Sequence, residues 1–232
     1  MIFIVAEIGV NWNGNYSKLL ELVKGAKKAG CNAIKLQSFK PEMVKDHPHH
    51  DLLTKSAITE ENVKEIDKIA KNNRIEWFCT PMYPEAVDFL EKYVSRYKIR
   101  FHDGISIVEN RESEIFKRIL QTKKEVIISS QKSPKESNYY NNNKIKWLYC
   151  VPKYPSSIEE INFSGISDFD GFSNHCMNKA ALLTSVALGA KIIEIHITLS
   201  KNDYYADNPV SFEIRELKQL VDLMRDIEKI KK

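Results

Sequence analysis

The run KIIEIHITLS, residues 191–200, places two ionisable side chains inside an apolar segment typical of a buried β-strand. Side chains alternate between the two faces of a strand, so Glu194 and His196 share one face and the isoleucines share the other. An ionisable group on a buried face is costly unless it is paired, hydrogen-bonded or bound to a metal. We therefore expect the isoleucine face to pack on helices and the polar face to point into a functional interior.

Polar side chains recur in the same way towards the ends of the other apolar runs. They would meet if the runs were parallel strands whose carboxyl ends form one mouth. Lysines and hydroxyls bind phosphate, and two histidines with water or a carboxylate bind a divalent transition metal. The set therefore predicts a small anionic substrate together with a metal. Besides Glu194 and His196, its members are Glu7, Lys35, Gln37, Thr80, Lys98, Asp103, Ser129, Ser130, Tyr154, Ser173 and His175.

The histidines also have structural interpretations. A single histidine at a strand end is more often a hydrogen-bonded structural residue than a metal ligand. His175 and His196 follow adjacent predicted strands, and as a pair they favour a metal site. The histidine-rich run at 47–50 is interpreted as an exposed loop and not as a metal-binding tract.

The acids and lysines have structural alternatives as well. Glu7 taken alone is equally consistent with the cap of a neighbouring helix. The inward lysines, Lys35 and Lys98, are consistent with structural ion pairs to Glu7 or Glu194. Both interpretations stay open at the level of sequence.

Short β-branched apolar runs alternate with amphipathic stretches along the chain. This alternation indicates parallel strands joined by helical crossovers, and eight such units predict a single α/β domain, a (β/α)8 TIM barrel over residues 1–232. The polar segment SQKSPKESNYYNNN predicts a shortened or missing helix after strand five. The predicted strands are 3–6, 33–36, 76–79, 97–99, 126–129, 146–150, 171–173 and 192–197, and the predicted helices are 18–29, 60–70, 84–93, 180–188 and 212–230.

Composition narrows the class of protein. Hydrophobic residues make up 43% of the 232 residues and charged residues 28%, as in globular proteins. The net charge of +4 comes from basic residues interleaved with acids, which does not favour nucleic acid as a partner. The sequence predicts neither a membrane span nor a signal peptide, so we expect a cytoplasmic protein. Free thiols are expected because no C-x-x-C pair occurs among Cys31, Cys79, Cys150 and Cys176.

Nine short motifs follow one another along almost the whole chain. They are AEIGVNWNG (6–14), AIKLQSFKPE (33–42), FCTPMYPEAVDFL (78–90), YKI (97–99), CVPKYPSS (150–157), EEIN (159–162), GFSNH (171–175), LGAKIIEIHITL (188–199) and D-x-x-x-S (207–211). In this order they resemble the N-acetylneuraminate (sialic acid) synthase family. No single motif is specific, but the combination is.

The resemblance implies a barrel that condenses phosphoenolpyruvate with a sugar aldehyde, such as N-acetylmannosamine, for surface polysaccharide synthesis. The products would be a sialic-acid-like 2-keto-3-deoxy sugar acid and phosphate. It also implies a homodimer and a divalent metal, most commonly Mn²⁺, held by His175 and His196. The positions matching phosphoenolpyruvate contacts are Lys35, Thr80, Lys98, Ser129 and Ser173. Those matching the sugar and the reacting carbons are Glu7, Gln37, Tyr154, Glu194 and Asp207, and Asp103 matches an acid that could activate water.

Some features depart from the family's pattern. The family usually continues into a C-terminal antifreeze-like domain, which 232 residues do not accommodate, so a separate antifreeze-like domain protein is a candidate partner. Phe101 stands where the family commonly has a phosphate-contacting serine, and we expect it to crowd the phosphate. Two alternatives follow from these departures. One is condensation on a different, non-N-acylated aldehyde, and the other is a non-catalytic barrel that binds a sugar or scaffolds a partner.

Overall fold

A computed structural model describes residues 1–231, in which eight parallel strands close into a barrel. Each strand pairs with the next in the chain, and the last pairs with the first, placing Glu7 opposite His196. The predicted (β/α)8 TIM barrel is confirmed. The strands are β1 (Phe3–Gly9), β2 (Ala33–Ser38), β3 (Glu76–Pro81), β4 (Arg96–Ile99), β5 (Glu125–Ser130), β6 (Ile145–Cys150), β7 (Gly171–Asn174) and β8 (Ile192–Thr198).

The helices pack around the barrel through the apolar faces that the sequence predicts. In the first helix, Asn15 caps the start by accepting hydrogen bonds from the amides of Ser17 and Lys18. Gly30 ends it in the left-handed conformation that glycine adopts without strain. The α-helices are α1 (Tyr16–Ala29), α2 (His50–Ser56), α3 (Val63–Asn72), α4 (Pro84–Leu90), α5 (Phe101–Val108), α6 (Glu114–Gln121), α7 (Lys179–Ala187) and α8 (Ile214–Ile230).

Two of the crossovers lack an α-helix within residues 1–231. After β5 the chain forms one 3-10 turn at Pro134–Glu136, which confirms the predicted shortening. After β6 it forms 3-10 turns at Ile158–Glu160 and Phe163–Asp168, which the sequence analysis did not anticipate. The connection after β6 contains two prolines, several serines and a glycine, which favour turns over a regular helix.

Four elements were not predicted. Helix α2 begins at His50, so only part of the histidine-rich run lies in the exposed loop. Helices α5 and α6 both follow β4, where no helix was predicted. A ninth strand, β9 (Phe212–Glu213), pairs with the end of β8, so the last helix starts two residues later than predicted.

The two faces of β8 separate as the alternation predicts. Ile193, Ile195 and Ile197 are fully buried on the outward face, towards the helices. Glu194 and His196, both at most 5% exposed, point into the barrel. The four cysteines are free and buried. Among residues 1–231, no helix combines the length and apolarity needed to cross a membrane.

Candidate active site

A cavity of about 340 Å³ lies at the carboxyl ends of the strands. Its walls carry the acids, lysines, hydroxyls and histidines predicted from the strand ends, with Asp103 and Ser130 as the exceptions. Most of these side chains are buried, so the cavity is a polar pocket inside an apolar barrel. The predicted site residues that line it are Glu7, Lys35, Gln37, Thr80, Lys98, Ser129, Tyr154, Ser173, His175, Glu194, His196 and Asp207.

Lys35 lies at the centre of the floor. Its Nζ is 3.1 Å from Glu7 Oε1, 3.5 Å from Glu194 Oε2 and 3.3 Å from Thr80 Oγ1. Burial alone would lower the pKa of this ammonium, but the Glu194 and Glu7 carboxylates outweigh burial and raise it. Lys35 therefore stays charged, and the structural ion-pair interpretation of this lysine is correct at least in part.

The two acids beside Lys35 have pKa values shifted in opposite directions. Burial raises the pKa of Glu7 above its ordinary value despite Lys35. Burial acts on Glu194 in the same direction, but Lys35 and Lys98 together outweigh it and lower the pKa of Glu194 to about 2. Glu194 also accepts a hydrogen bond from Ser173 Oγ at 2.8 Å. Two neighbouring carboxyl groups with opposite shifts are the pattern expected of acid and base roles.

Lys98 is a buried cation whose close partners are neutral. Its Nζ donates to Ser129 Oγ at 2.6 Å and to the Ile99 carbonyl at 2.8 Å. Within residues 1–231 no carboxylate lies within 4 Å of it. Burial lowers its pKa because the charge is poorly solvated there. An incoming anion would supply the missing counter-charge.

The two predicted metal ligands lie side by side. The rings of His175 and His196 are 5.4 Å apart between centroids, and the Tyr154 ring packs edge-on against both. His175 Nδ1 is 3.3 Å from the Val151 carbonyl, and His196 Nδ1 is 3.5 Å from Asp207 Oδ2. Tyr154 Oη is also 3.3 Å from His196 Nδ1.

These contacts assign the imidazole tautomers. The Val151 carbonyl only accepts, so Nδ1 of His175 carries the hydrogen and its Nε2 keeps the lone pair, and the Asp207 carboxylate favours the same tautomer for His196. Burial lowers the pKa of His175 to about 3, so its ring is neutral. No cluster of three histidine, cysteine, aspartate or glutamate side chains suited to a metal occurs among residues 1–231. Two imidazoles with free Nε2 atoms still fit a divalent cation that takes its other ligands from water or substrate.

Three acidic oxygens in the cavity accept no hydrogen bond from the described part of the chain, and two of them have only an ionic contact of 3.5 Å, from Lys35 or from His196. Leaving a buried acceptor unsatisfied costs about 1–3 kcal/mol, so such atoms indicate that a ligand supplies the donors. A polyhydroxylated molecule carries suitable hydroxyl groups. The orphaned atoms are Glu7 Oε2, Glu194 Oε2 and Asp207 Oδ2.

Asp103 does not line the cavity. It lies in the first turn of α5, and its Oδ2 accepts a hydrogen bond from Arg100 Nε at 2.8 Å. Strand alternation does not apply there because the chain turns helical at Phe101. The structure thus separates Asp103 from the other predicted site residues.

Several cavity residues were not predicted as site residues. Three of them, Arg100, Phe101 and His102, lie at the start of α5. Their position directly after the strand that carries Lys98 is the sequence signal that could have identified them. Phe101 lines the cavity, as it must if its ring is to crowd a bound phosphate. The crowding itself stays a prediction. The additional lining residues are Met82, Arg100, Phe101, His102, Cys150, Pro152 and Lys153.

A closed barrel with buried acids, lysines and histidines at the carboxyl ends of its strands has the architecture of a (β/α)8 enzyme. The chain belongs to the NeuB family, whose sequence profile matches residues 22–232. The family predicted from the motifs is therefore confirmed.

The relatives and solved structures agree with this assignment. The chain is 29% identical to pseudaminic acid synthase of Campylobacter jejuni, covering 98% of this chain and 74% of that protein. It is 26% identical to human N-acetylneuraminate-9-phosphate synthase, covering 98% and 70%. The crystal structure of an N-acetylneuraminic acid synthetase from Leptospira borgpetersenii, complexed with citrate, superposes with a TM-score of 0.86 at 25% identity, covering 99% and 84%.

These relatives are synthases, and the prediction of a condensing synthase is confirmed at the level of the enzyme class. A protein of Methanocaldococcus jannaschii is 32% identical over 98% of this chain and 71% of its own length, and it is itself uncharacterised. The relatives' names differ in the sugar acid. The identity of the sugar substrate of this chain is therefore proposed below.

Proposed function

We propose that this synthase condenses phosphoenolpyruvate with a sugar aldehyde and releases phosphate and a nonulosonic, sialic-acid-like 2-keto-3-deoxy sugar acid. One observation carries the proposal. A buried, uncompensated lysine with hydroxyl neighbours and a pair of imidazoles with free lone pairs share a single cavity. The first suits a phosphorylated anion and the second a metal-assisted carbonyl reaction.

The anion would occupy the β4–β5 side of the cavity. Lys98 and Ser129 converge there, and Thr80 lies beside Lys35 on the adjacent β3. Ammonium and hydroxyl groups donate charge-assisted hydrogen bonds to phosphate oxygens. The same groups would stabilise the charge that develops on phosphate as it leaves.

The sugar would occupy the opposite side, where β1 and β8 meet. Gln37 donates to Glu7 there at 3.0 Å, and the carboxylate of Asp207 lies near His196. The free carboxyl oxygens of Glu7 and Asp207 are acceptors for sugar hydroxyls. Gly9 lies between these groups, and a Cβ atom there would be 2.6 Å from Asp207 Oδ2, so glycine leaves them room to converge.

His175 and His196 would hold the divalent metal, with Mn²⁺ as the first candidate. When bound there, such a cation supplies Lewis-acid activation of the aldehyde oxygen. The Asp207 and Val151 contacts to the Nδ1 atoms fix the orientation of the two rings.

The proposed reaction balances with water as the third reactant. Carbon 3 of phosphoenolpyruvate forms a bond to the aldehyde carbon, and the aldehyde oxygen becomes a hydroxyl. Water adds to carbon 2 and gives up a proton to a carboxylate, for which Glu7 Oε2 is the candidate acceptor. The bond from carbon 2 to the phosphate oxygen then breaks as the new hydroxyl on carbon 2 gives up its proton, leaving a ketone and free phosphate. Of the two protons that water supplies, one ends on the aldehyde oxygen and the other on phosphate.

The test is phosphate release from phosphoenolpyruvate with Mn²⁺ across a panel of N-acylated and unacylated aldoses. Release that depends on one class of aldose supports the proposal and identifies the substrate. His175→Ala should release no phosphate under the same conditions. Lys64→Met, on the exposed face of α3, should release phosphate at the wild-type rate. Release that is equal with and without aldose would contradict the proposal, because condensation requires the second substrate.

A further inference from the structure

The connection between β4 and α5 brings a cation to the cavity that the proposed reaction does not yet use. Arg100 caps α5 in an extended conformation and lines the cavity with Lys35 and Lys98. Its side chain is 41% exposed, at the rim. Nε donates to Asp103, and Nη1 lies 3.7 Å from Met82 Sδ. Among residues 1–231 no acceptor contacts Nη2.

The lysines of the cavity have few donors left. Lys35 is engaged by two carboxylates and a hydroxyl. Lys98 donates two of its three N–H groups to a serine hydroxyl and a backbone carbonyl. Lys153 is paired with Glu160. The three terminal oxygens of a phosphate dianion each have several lone pairs, more acceptor positions in total than the remaining lysine donors fill.

Arg100 is the cavity cation with the most free donors. Its carboxylate partner engages only Nε, so the terminal amino groups remain available in the planar fork that suits phosphate. Asp103 holds the guanidinium from the outer side, away from the cavity. Asp103 itself does not line the cavity.

We propose that Arg100 binds the phosphate group of phosphoenolpyruvate from the rim while Lys98 binds it from the floor. In this arrangement Asp103 is a positioning residue for the Arg100 guanidinium and not the base that activates water. The inference rests on the proposed function, because it assumes that phosphoenolpyruvate occupies the cavity. It adds a specificity-determining residue on the phosphate side.

The first test is calorimetric titration of phosphoenolpyruvate into the full chain with Mn²⁺ and without aldehyde. Arg100→Gln should weaken affinity about tenfold, the scale of one lost charge-assisted contact at a partly exposed site. Arg100→Lys should recover part of it by restoring the charge. Arg118→Gln should bind like the wild type, because Arg118 pairs with acids on the outer helices.

The outcomes separate the two proposals. Unchanged affinity in Arg100→Gln, with binding intact in the wild type, overturns the role of Arg100 and leaves the proposed function standing. Absence of binding in the wild type overturns both. A smaller salt dependence of affinity in Arg100→Gln than in the wild type would support direct contact with the phosphate.

The second test separates a positioning residue from a base. Asp103→Ala should raise the KM for phosphoenolpyruvate several-fold and leave kcat within about twofold, because the guanidinium loses its fixed orientation. The effect should vanish in the Arg100→Gln background, and Asp103→Glu should restore much of the loss. A fall in kcat of about 10² or more in both backgrounds, the scale of a lost general base, would overturn the positioning role, as would an unchanged KM.

Discussion

At the scale of single residues, the cavity divides into a cationic side and an imidazole side. Lys98 with its neutral partners lies on β4, and His175 and His196 lie at β7 and β8. Lys35 and Glu194 lie between them as a fixed ion pair. A substrate that carries a phosphate at one end and reacts with a carbonyl at the other matches this division.

Lys98→Met tests the cationic side. Removing the only ammonium with uncompensated charge on the floor should weaken phosphoenolpyruvate binding about 100-fold, since charged hydrogen bonds contribute about 1.5–3 kcal/mol each. The melting temperature should not fall, because a buried cation is replaced by an apolar side chain of similar length. Calorimetry and thermal unfolding measure both, with Lys64→Met as the control. Retained affinity in Lys98→Met would contradict the assignment.

His196→Ala tests the imidazole side without turnover. The variant should lose stoichiometric Mn²⁺ binding, measured by equilibrium dialysis and elemental analysis, while its circular dichroism stays native. His47→Ala, in an exposed loop, is the matched control and should retain the metal. Full metal affinity in His196→Ala would reject the ligand assignment.

Strand alternation predicted which residues face inward, because the period of two is a fixed property of the backbone. It could not assign their partners. Lys35 faces Glu7 across the β1–β2 pair, but it meets Glu194 only because the barrel closes β8 onto β1. Asp103 was placed with the site from its position just beyond strand four and by the resemblance, and one turn of helix after β4 moves its carboxylate to Arg100.

At the scale of elements, the start of α5 is set by how closely that helix approaches β5. A Cβ atom at Gly104 would lie 2.0 Å from the Ser129 carbonyl oxygen, so only glycine fits. Arg100 and Phe101 lie at the start of the same helix, as its N-cap and its first residue. The helices missed in the sequence, α2, α5 and α6, are short, and tertiary packing rather than length stabilises them.

Gly104→Ala should therefore destabilise the protein and weaken phosphoenolpyruvate binding together, because α5 must move away from β5. We expect a loss of about 1–3 kcal/mol in the free energy of unfolding, typical of overpacking. Gly165→Ala is the matched control, since nothing lies within 4 Å of a Cβ atom there. Equal stability of the two variants in denaturant titrations would show that α5 is free to shift.

At the scale of the whole molecule, the barrel itself protects the thiols. Cys31, Cys79, Cys150 and Cys176 are each at most 5% exposed. Burial raises the pKa of Cys31 and Cys150 to about 12, so almost no thiolate forms at pH 8. The composition predicted free thiols, but their protection depends on the packed fold.

Ellman's reagent at pH 8 should leave the native protein almost unmodified and titrate all four cysteines in guanidinium chloride. Raising the pH towards 10 should accelerate the native reaction only slightly, because all four thiols are buried and the pKa values of Cys31 and Cys150 lie well above that range. Rapid modification of any cysteine in the native state would show that the barrel opens on the timescale of the assay.

The central claim is that this cavity joins phosphoenolpyruvate to an aldehyde by a carbon–carbon bond. The most direct measurement uses phosphoenolpyruvate labelled with ¹³C at carbon 3, Mn²⁺ and the aldose panel, with products followed by mass spectrometry and phosphate quantified in parallel. We expect one labelled keto-sugar acid per phosphate released, with the mass of aldose plus phosphoenolpyruvate plus water minus phosphoric acid. Phosphate accompanied only by labelled pyruvate, or no reaction with any aldose while the metal is bound, would contradict the claim.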